Sequence, residues 1–383
     1  IIVMALIAVN TRMLLKEKLD GTGWFAFETL KRIVTQHPEH HFIFFFDRKF
    51  HSEFVFSNNI LPVVVYPQAR HPWLWYTWFE ISLHRALKKY KPDLFFSPES
   101  FICSKATVPQ VAVIHDLNFE HFPQYMPAQV ARYYSKWSRI AAQQAQRVGT
   151  VSEFSRQDIV NTYNINIEKT DVLYNGIHDM YKPLSAKEQE LVRNQYTTGC
   201  RFILYTGSLH QRKNTANMVR AFGQYKKQFG GELKFVFVSD RNKMESDLQL
   251  ALSETKIEDD IIFTGRLSAK ALVQLTASAE AMMYVSFFEG FGIPMIEAMR
   301  CGVPVITSNV SCLPEIAGNA AICVDPHNVN AITGALEQVL QHQEVAEQLR
   351  QKGEIRQQEF SWDKTAALTW HSLQLVLAEK GKK

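Results

Sequence analysis

The chain has 383 residues, enough for two or three domains of ordinary size and a substantial buried core. Hydrophobic residues make up 46% and charged residues 21%, a globular balance that excludes long disorder, a coiled coil and a collagen-like chain. A net charge of +4 over this length makes no case for nucleic acid, and the five cysteines include no CxxC pair, which fits free thiols in a reduced cytoplasm better than a secreted disulfide scaffold.

The opening IIVMALIAVN is an apolar run too short to span a bilayer, with no preceding basic region and no small-residue cleavage site, and it reads as a buried strand. The first residue is not methionine, which leaves a preceding segment, a targeting signal included, open. Short apolar runs then alternate with stretches of helical period, the pattern of βαβ units and a parallel sheet covered on both faces. Strands are expected over residues 2–9, 41–46, 61–66, 93–97, 110–115 and 147–151, with helices over 24–36, 73–89, 128–146 and 155–163. The same rhythm restarts in the second half, with strands over 202–206, 234–239, 261–263, 281–285, 305–308 and 321–324. The polar stretch HDMYKPLSAKEQ (178–189) carries a proline and a serine and no apolar period, so it is the expected linker. The fold class is therefore α/β, with two doubly wound, Rossmann-like domains. The closing SWDKTAALTWHSLQLVLAEKGKK predicts a helix with Ser361 as its N-cap and a lysine-rich end suited to the helix dipole.

The densest motif is FFEGFGIPMIEAMRCGVPVIT, which begins at Phe287. A strand ends just before it, Glu289 and Gly290 fall in the loop, Gly292 allows close backbone approach, and Pro294 suits a first helical turn. Glu297 follows early in that helix. Helix-start amides at the carboxyl end of a parallel strand favour a diphosphate, and paired carboxylates can grip sugar hydroxyls. From spacing alone, a tight strand-to-helix turn followed by a surface glutamate explains the block equally well.

In YTGSLHQRKNTANMVRAF, Gly207 again makes a turn between strand and helix, and Arg212 and Lys213 are adjacent cations close to the helix start. They could neutralise a diphosphate leaving group or be a solvated basic pair. In LDGTGWFAFETL, Gly21 and Gly23 precede an apolar-period helix and could admit a phosphate or sugar. That string formally satisfies GxGxxA, with Asp47 ending the next strand, but the glycines lie well beyond the end of the first strand, which speaks against a nicotinamide fingerprint. His115 and Asp116 end a buried strand, where the histidine could meet a sugar or be satisfied by backbone. Ser152, in VSEFSRQDIV, is an N-cap or a ligand-facing serine. Trp73, Trp75, Tyr76, Trp78 and Phe79 cluster before a basic helix end, the composition of a membrane interface or of plain core.

The Glu289 to Glu297 block resembles the Glu-x7-Glu element of the family 4 retaining glycosyltransferases, and the resemblance extends over nearly the whole chain, through the glycine loop, the His-Asp strand end, VSEFS, the Arg-Lys turn and the FSW segment before the last helix. It implies the GT-B fold, two Rossmann-like domains facing an interdomain cleft: an acceptor domain over 1–183, completed by a helix at about 362–380, and a donor domain over 184–361. By that resemblance Glu289 contacts the transferred sugar and Glu297 the ribose, while Gly207, Gly290 and the amides of Phe291, Gly292 and Ile293 lie against sugar and phosphates. Arg212 and Lys213 hold the leaving diphosphate, and Arg266, after Gly265, abuts the base. His115 lies near the donor sugar; Gly21, Gly23, Asp116 and Ser152 line the acceptor side of the cleft.

The activity implied is transfer of a hexose with retention, without metal or cofactor, from a nucleotide-diphosphate sugar to a glycan or lipid-linked acceptor. The Arg-Lys-Asn turn and VSEFS look most like mannosyltransferase members, which puts GDP-mannose first and UDP-sugars next. A cytoplasmic enzyme is implied, with peripheral contact at the inner face of the membrane left open. His178 stands where the family has an acidic residue, and Val285 where proline is frequent. The rival readings are an NAD-dependent oxidoreductase and a catalytically silent sugar-nucleotide binding module.

Overall fold

The computed structural model describes residues 4–16 and 19–380. Residues 2 and 3 of the expected first strand and 381–383 of the lysine-rich end lie outside that range. The chain forms two compact units, Ile1–Gly176 with Ser361–Lys383, and Ile177–Phe360.

The first unit is built on seven parallel strands: β1 (Leu6–Asn10), β2 (His41–Phe46), β3 (Ile60–Val64), β4 (Leu94–Ser97), β5 (Gln110–Val113), β6 (Arg147–Thr150) and β7 (Thr170–Val172). Their order is β3-β2-β1-β4-β5-β6-β7. Helices cover both faces, so a central strand is apolar without alternation. In β2 the run from Phe42 to Phe46 is at most 1% exposed. The second unit repeats the plan with β8 (Phe202–Thr206), β9 (Lys234–Val238), β10 (Ile261–Phe263), β11 (Ala281–Tyr284), β12 (Val305–Ser308) and β13 (Ala321–Val324), in the order β10-β9-β8-β11-β12-β13. In each sheet the chain winds outward from its first strand, then returns to that strand's other side. Such reversals fall between β1 and β4 and between β8 and β11, and the carboxyl ends there are where open α/β sheets bind ligands.

Several elements differ from the sequence expectation, each for a local reason. The strand β7 has only three residues, TDV, and no apolar run to announce it. The first helix runs Gly21–Gln36, taking both glycines into its opening turn, because the Asp20 carboxylate caps it by accepting from the Gly23 amide at 2.9 Å. The expected helix over 73–89 is three pieces, Pro72–Thr77, a π-helical turn Trp78–Ser82, and Leu83–Tyr90. The π turn carries Glu80, 2% exposed, whose oxygens accept from the Ser104 amide (2.9 Å) and hydroxyl (2.7 Å). The expected linker belongs wholly to the second unit and ends in helix, because Ser185 and Glu188 form a capping box that starts Ala186–Thr197. The last helix, Trp362–Lys380, belongs to the first unit: Trp370 stacks on His37 at 4.0 Å, and the Thr365 hydroxyl donates to the Tyr174 carbonyl.

Candidate active site

In the second unit, the two loops at the sheet reversal bring opposite charges together. After β8, Gly207 turns the chain with φ +149°, and the residues Gln211–Lys213 form a single 3-10 turn. Asn214 closes that turn at φ +57° and is buried; its side-chain Nδ2 donates to the carbonyls of Val285 (2.9 Å) and Pro326 (2.8 Å). The Phe287 amide donates back to the Arg212 carbonyl at 2.9 Å. The Arg-Lys turn is thereby tied to the loop after β11.

That loop carries Glu289, 6% exposed. Lys213 Nζ lies 2.6 Å from its Oε1 and Arg212 Nη1 3.2 Å from its Oε2. Arg212 also donates to the Phe288 carbonyl, and Lys213 to the Tyr284 hydroxyl at 3.2 Å. Burial would raise this carboxyl, but Lys213 and Arg212 outweigh it and hold it down at about 2. The neighbouring Gly290 is buried, and Gly292, at φ +95°, is the N-cap of the helix Ile293–Arg300. A side chain at Gly292 would meet that φ and bring its Cβ 2.9 Å from Leu313. The Phe291 ring is core, edge-on to Phe360 at 5.5 Å, so only its backbone is available to a ligand.

Glu297 has the opposite environment. It is partly buried on Ile293–Arg300, and burial pushes it up to about 7, opposed by a hydrogen bond from the Tyr181 hydroxyl. Tyr181 is 4% exposed and its carbonyl accepts from Arg300 Nε at 3.1 Å. The two carboxylates of the motif are therefore driven apart, one firmly ionised and one poised near neutrality. Tyr181 sat unnoticed in the polar stretch; its signal was a lone aromatic among charged residues. Arg266 is exposed in the loop after β10, with β9 standing between β10 and β8.

The first unit places its expected residues as follows. His115 is partly buried; its Nε2 is 3.0 Å from the Pro98 carbonyl, which can only accept, so Nε2 carries the proton and Nδ1 is the acceptor. Burial lowers its pKa, which keeps the ring neutral. Asp116 Oδ1 accepts from the Asn118 amide (3.0 Å) and side chain (2.6 Å), an Asx turn. Ser152 is the N-cap of Glu153–Tyr163, accepting from the Ser155 amide at 3.1 Å. Gly21 and Gly23 are helical, with the Asp20 carboxylate already at the helix start where a dinucleotide phosphate would have to sit. Asp47 is fully buried against Arg48 and the Ala69 amide. Neither supports the nicotinamide reading.

Sequence reasoning passed over one further constellation, at the reversal of the first sheet. Arg12 and Glu99, 8% and 5% exposed, form a two-pronged ion pair. Asn10, the last residue of β1, donates to Glu99 at 2.6 Å and to Ser97, the last of β4, at 3.1 Å. The only sequence signal was a lone arginine just beyond an apolar strand. Among the described residues, no group of three His, Cys, Asp or Glu side chains is arranged to hold a metal ion, and no helix is long and apolar enough to cross a membrane.

Two doubly wound parallel sheets, each with cation and carboxylate paired at its reversal, define an α/β protein with its charged side chains where open sheets of this kind bind ligands. Family models divide the chain along the same lines: glycosyltransferase family 4 matches residues 19–180, and glycosyl transferases group 1 matches residues 187–356. The chain belongs to this glycosyltransferase family and is a hexosyltransferase. O-antigen chain mannosyltransferase B of Escherichia coli is 29% identical over 292 residues, 76% of this chain and 76% of its own length. Among solved structures, sucrose-phosphate synthase from Thermosynechococcus elongatus superposes with a TM-score of 0.78 at 18% identity, covering 98% of this chain and 100% of its own. HepE from Anabaena, solved in complex with UDP-glucose, gives 0.73 at 17% identity over 97% and 99%. The fold is GT-B.

Proposed function

We propose that the second unit binds a nucleotide-diphosphate sugar, GDP-mannose first and UDP-sugars next, and that the enzyme passes the hexose with retention to a hydroxyl of a glycan or lipid-linked acceptor taken by the first unit. The observation that carries this is the Arg212, Lys213 and Glu289 cluster at the β8/β11 reversal. Two cations held ready beside a carboxylate that a ligand can displace are suited to a departing diphosphate, whose charge grows in the transition state. In this reading they do the work a metal would do elsewhere, and no cofactor is needed.

Glu289, released from the cations by the phosphates, orients the sugar; Glu297 accepts from the ribose hydroxyls. Amides at Gly292 and Ile293, and the turn at Gly207, lie against the phosphates. The neutral ring of His115 offers Nδ1 to a sugar hydroxyl, and the leaving phosphate oxygen takes the acceptor's proton on the same face. The mannosyltransferase relative favours mannose.

The test is a thermal-shift screen against GDP-, UDP-, ADP- and dTDP-sugars, followed by transfer with the donor that shifts. A ligand at 100 times its Kd adds ~2.7 kcal/mol to stability. Arg212→Ala/Lys213→Ala is expected to lower transfer by at least about a hundredfold, the effect of removing one preorganised donor elsewhere. Intact turnover in that variant, or no shift with any donor, refutes the assignment.

A lipid-linked acceptor would bring the enzyme to a membrane surface. Of the five clustered aromatics, Trp78 and Phe79 are core at 0% and 1% exposure, whereas Trp73 and Tyr76 stand 69% and 39% exposed. Tyr76 touches Trp137 at 5.7 Å, on the helix Ala128–Gln144, whose exposed Arg132, Lys136 and Arg139 follow one another at one-turn spacing. That helix has no acidic residue. Exposed aromatics flanked by cations suit an anionic lipid surface.

A further inference from the structure

The buried Arg12–Glu99 pair stands where the second unit keeps its ligand-binding charges. In the second unit the cations follow β8 and the carboxylate follows β11, the two strands that flank the reversal; in the first, Arg12 follows β1 and Glu99 follows β4, which flank the other reversal. The resemblance ends at exposure. Arg12 is sealed in: its guanidinium spends Nε and Nη2 on Glu99, reaches the Ala69 carbonyl with Nη1 at 3.4 Å, and lies 5.6–5.8 Å from the ring centres of Trp75, Phe79 and Phe101. The Arg12 amide donates to Asn10 Oδ1 at 3.2 Å. The pair therefore touches no ligand itself.

Two charges taken out of water are seldom a gain in stability over apolar residues of the same volume, so their worth lies elsewhere, in fixing one arrangement of the chain. Here they tie together three segments that leave the carboxyl edge of the sheet: residues 11–16 after β1, the loop after β4 that carries Glu99, and the loop at Ala69. The same loop reaches the end of β5: the Pro98 carbonyl, next to Glu99, accepts from His115 Nε2 at 3.0 Å.

We propose that Arg12 and Glu99 are a positioning pair for the acceptor: they hold the edge of the first sheet so that Asp116, after the adjacent β5, meets a hydroxylated acceptor in one geometry. This rests on the reading that the first unit takes the acceptor.

The test removes both charges at once, in Arg12→Met/Glu99→Leu, so that neither is left buried alone. Thermal unfolding is expected at the parent temperature or above, and the shift given by GDP is expected to be unchanged. Transfer from GDP-mannose to octyl α-mannoside is expected to fall at least tenfold, through the acceptor KM and kcat with the donor KM unmoved. Arg12→Lys, which keeps the charge and loses the two-pronged geometry, is not expected to rescue transfer. Amide exchange in residues 11–16 and 99–108 is expected to quicken while β2 and β5 stay protected.

Parent-like transfer in the double variant overturns the proposal, as does loss of transfer matched by loss of the GDP shift. If the parent shows neither shift nor transfer, the donor reading has failed, and amide exchange decides the matter: unchanged protection of both segments refutes the positioning role.

Discussion

Glu289 and Glu297 carry the same functional group eight positions apart, yet their surroundings give them opposite characters. Glu289 is pinned by Lys213 at 2.6 Å and Arg212 at 3.2 Å and is held down at about 2; Glu297 meets the Tyr181 hydroxyl, and burial lifts it to about 7. The second value has a consequence for stability. A carboxyl at 4.5 in the unfolded chain and about 7 in the folded one binds more protons when folded, so stability falls as pH rises from 4.5 to 7. Glu297→Gln should flatten that decline, which thermal unfolding between pH 4.5 and 8 would show. Nucleotide binding should move the other way in the parent, tightening as the carboxylate ionises near pH 7, and become nearly independent of pH in the variant. A parent with flat binding across that range would remove Glu297 from the ribose.

At the scale of elements, legibility followed how local the cause was. The strand β2 was visible because the run FIFFF after His41 is buried on both faces, and its expected bounds of 41–46 match the structure. The start of the first helix was misplaced because glycines suggest a loop, while the deciding interaction is Asp20 reaching the Gly23 amide. The three-residue β7 is a strand only because β6 lies beside it: Val148, Gly149 and Thr150 pair with Thr170, Asp171 and Val172. The return of the last helix to the first unit depends on Gly176, where a Cβ would lie 2.1 Å from the Trp362 nitrogen and 2.7 Å from the Ser361 carbonyl carbon. Backbone cannot yield as a flexible side chain can, so Gly176→Ala should cost about 3 kcal/mol, the upper end for an overpacked site. Chemical unfolding of the variant against the parent measures it; a loss well below 1 kcal/mol would mean that the helix start shifts freely.

For the whole molecule, the surface carrying Trp73, Tyr76, Arg132, Lys136 and Arg139 sets an expectation that concerns neither donor nor catalysis. Each basic residue near an anionic membrane contributes about 1 kcal/mol, screened over ~10 Å at 0.1 M salt. The protein should sediment with vesicles rich in phosphatidylglycerol and not with phosphatidylcholine alone, and release as salt is raised. Lys136→Glu/Arg139→Glu and Trp73→Ser/Tyr76→Ser should each weaken sedimentation several-fold while leaving the donor-induced thermal shift as it was. Equal sedimentation of parent and variants would place any membrane contact elsewhere.

The sequence by itself determined the α/β class, the repeated plan of two doubly wound sheets and the glutamate block, because these arise from burial patterns and turn residues within a few positions of one another. Only the tertiary structure decided which charges meet. Lys213 and Glu289 are 76 positions apart, and Arg12 and Glu99 are 87 apart. Each pair exists because two strands remote in the chain lie side by side where the sheet order reverses. The same packing that brings Glu289 to two cations leaves Glu297 with a tyrosine, and no spacing along the chain encodes that difference.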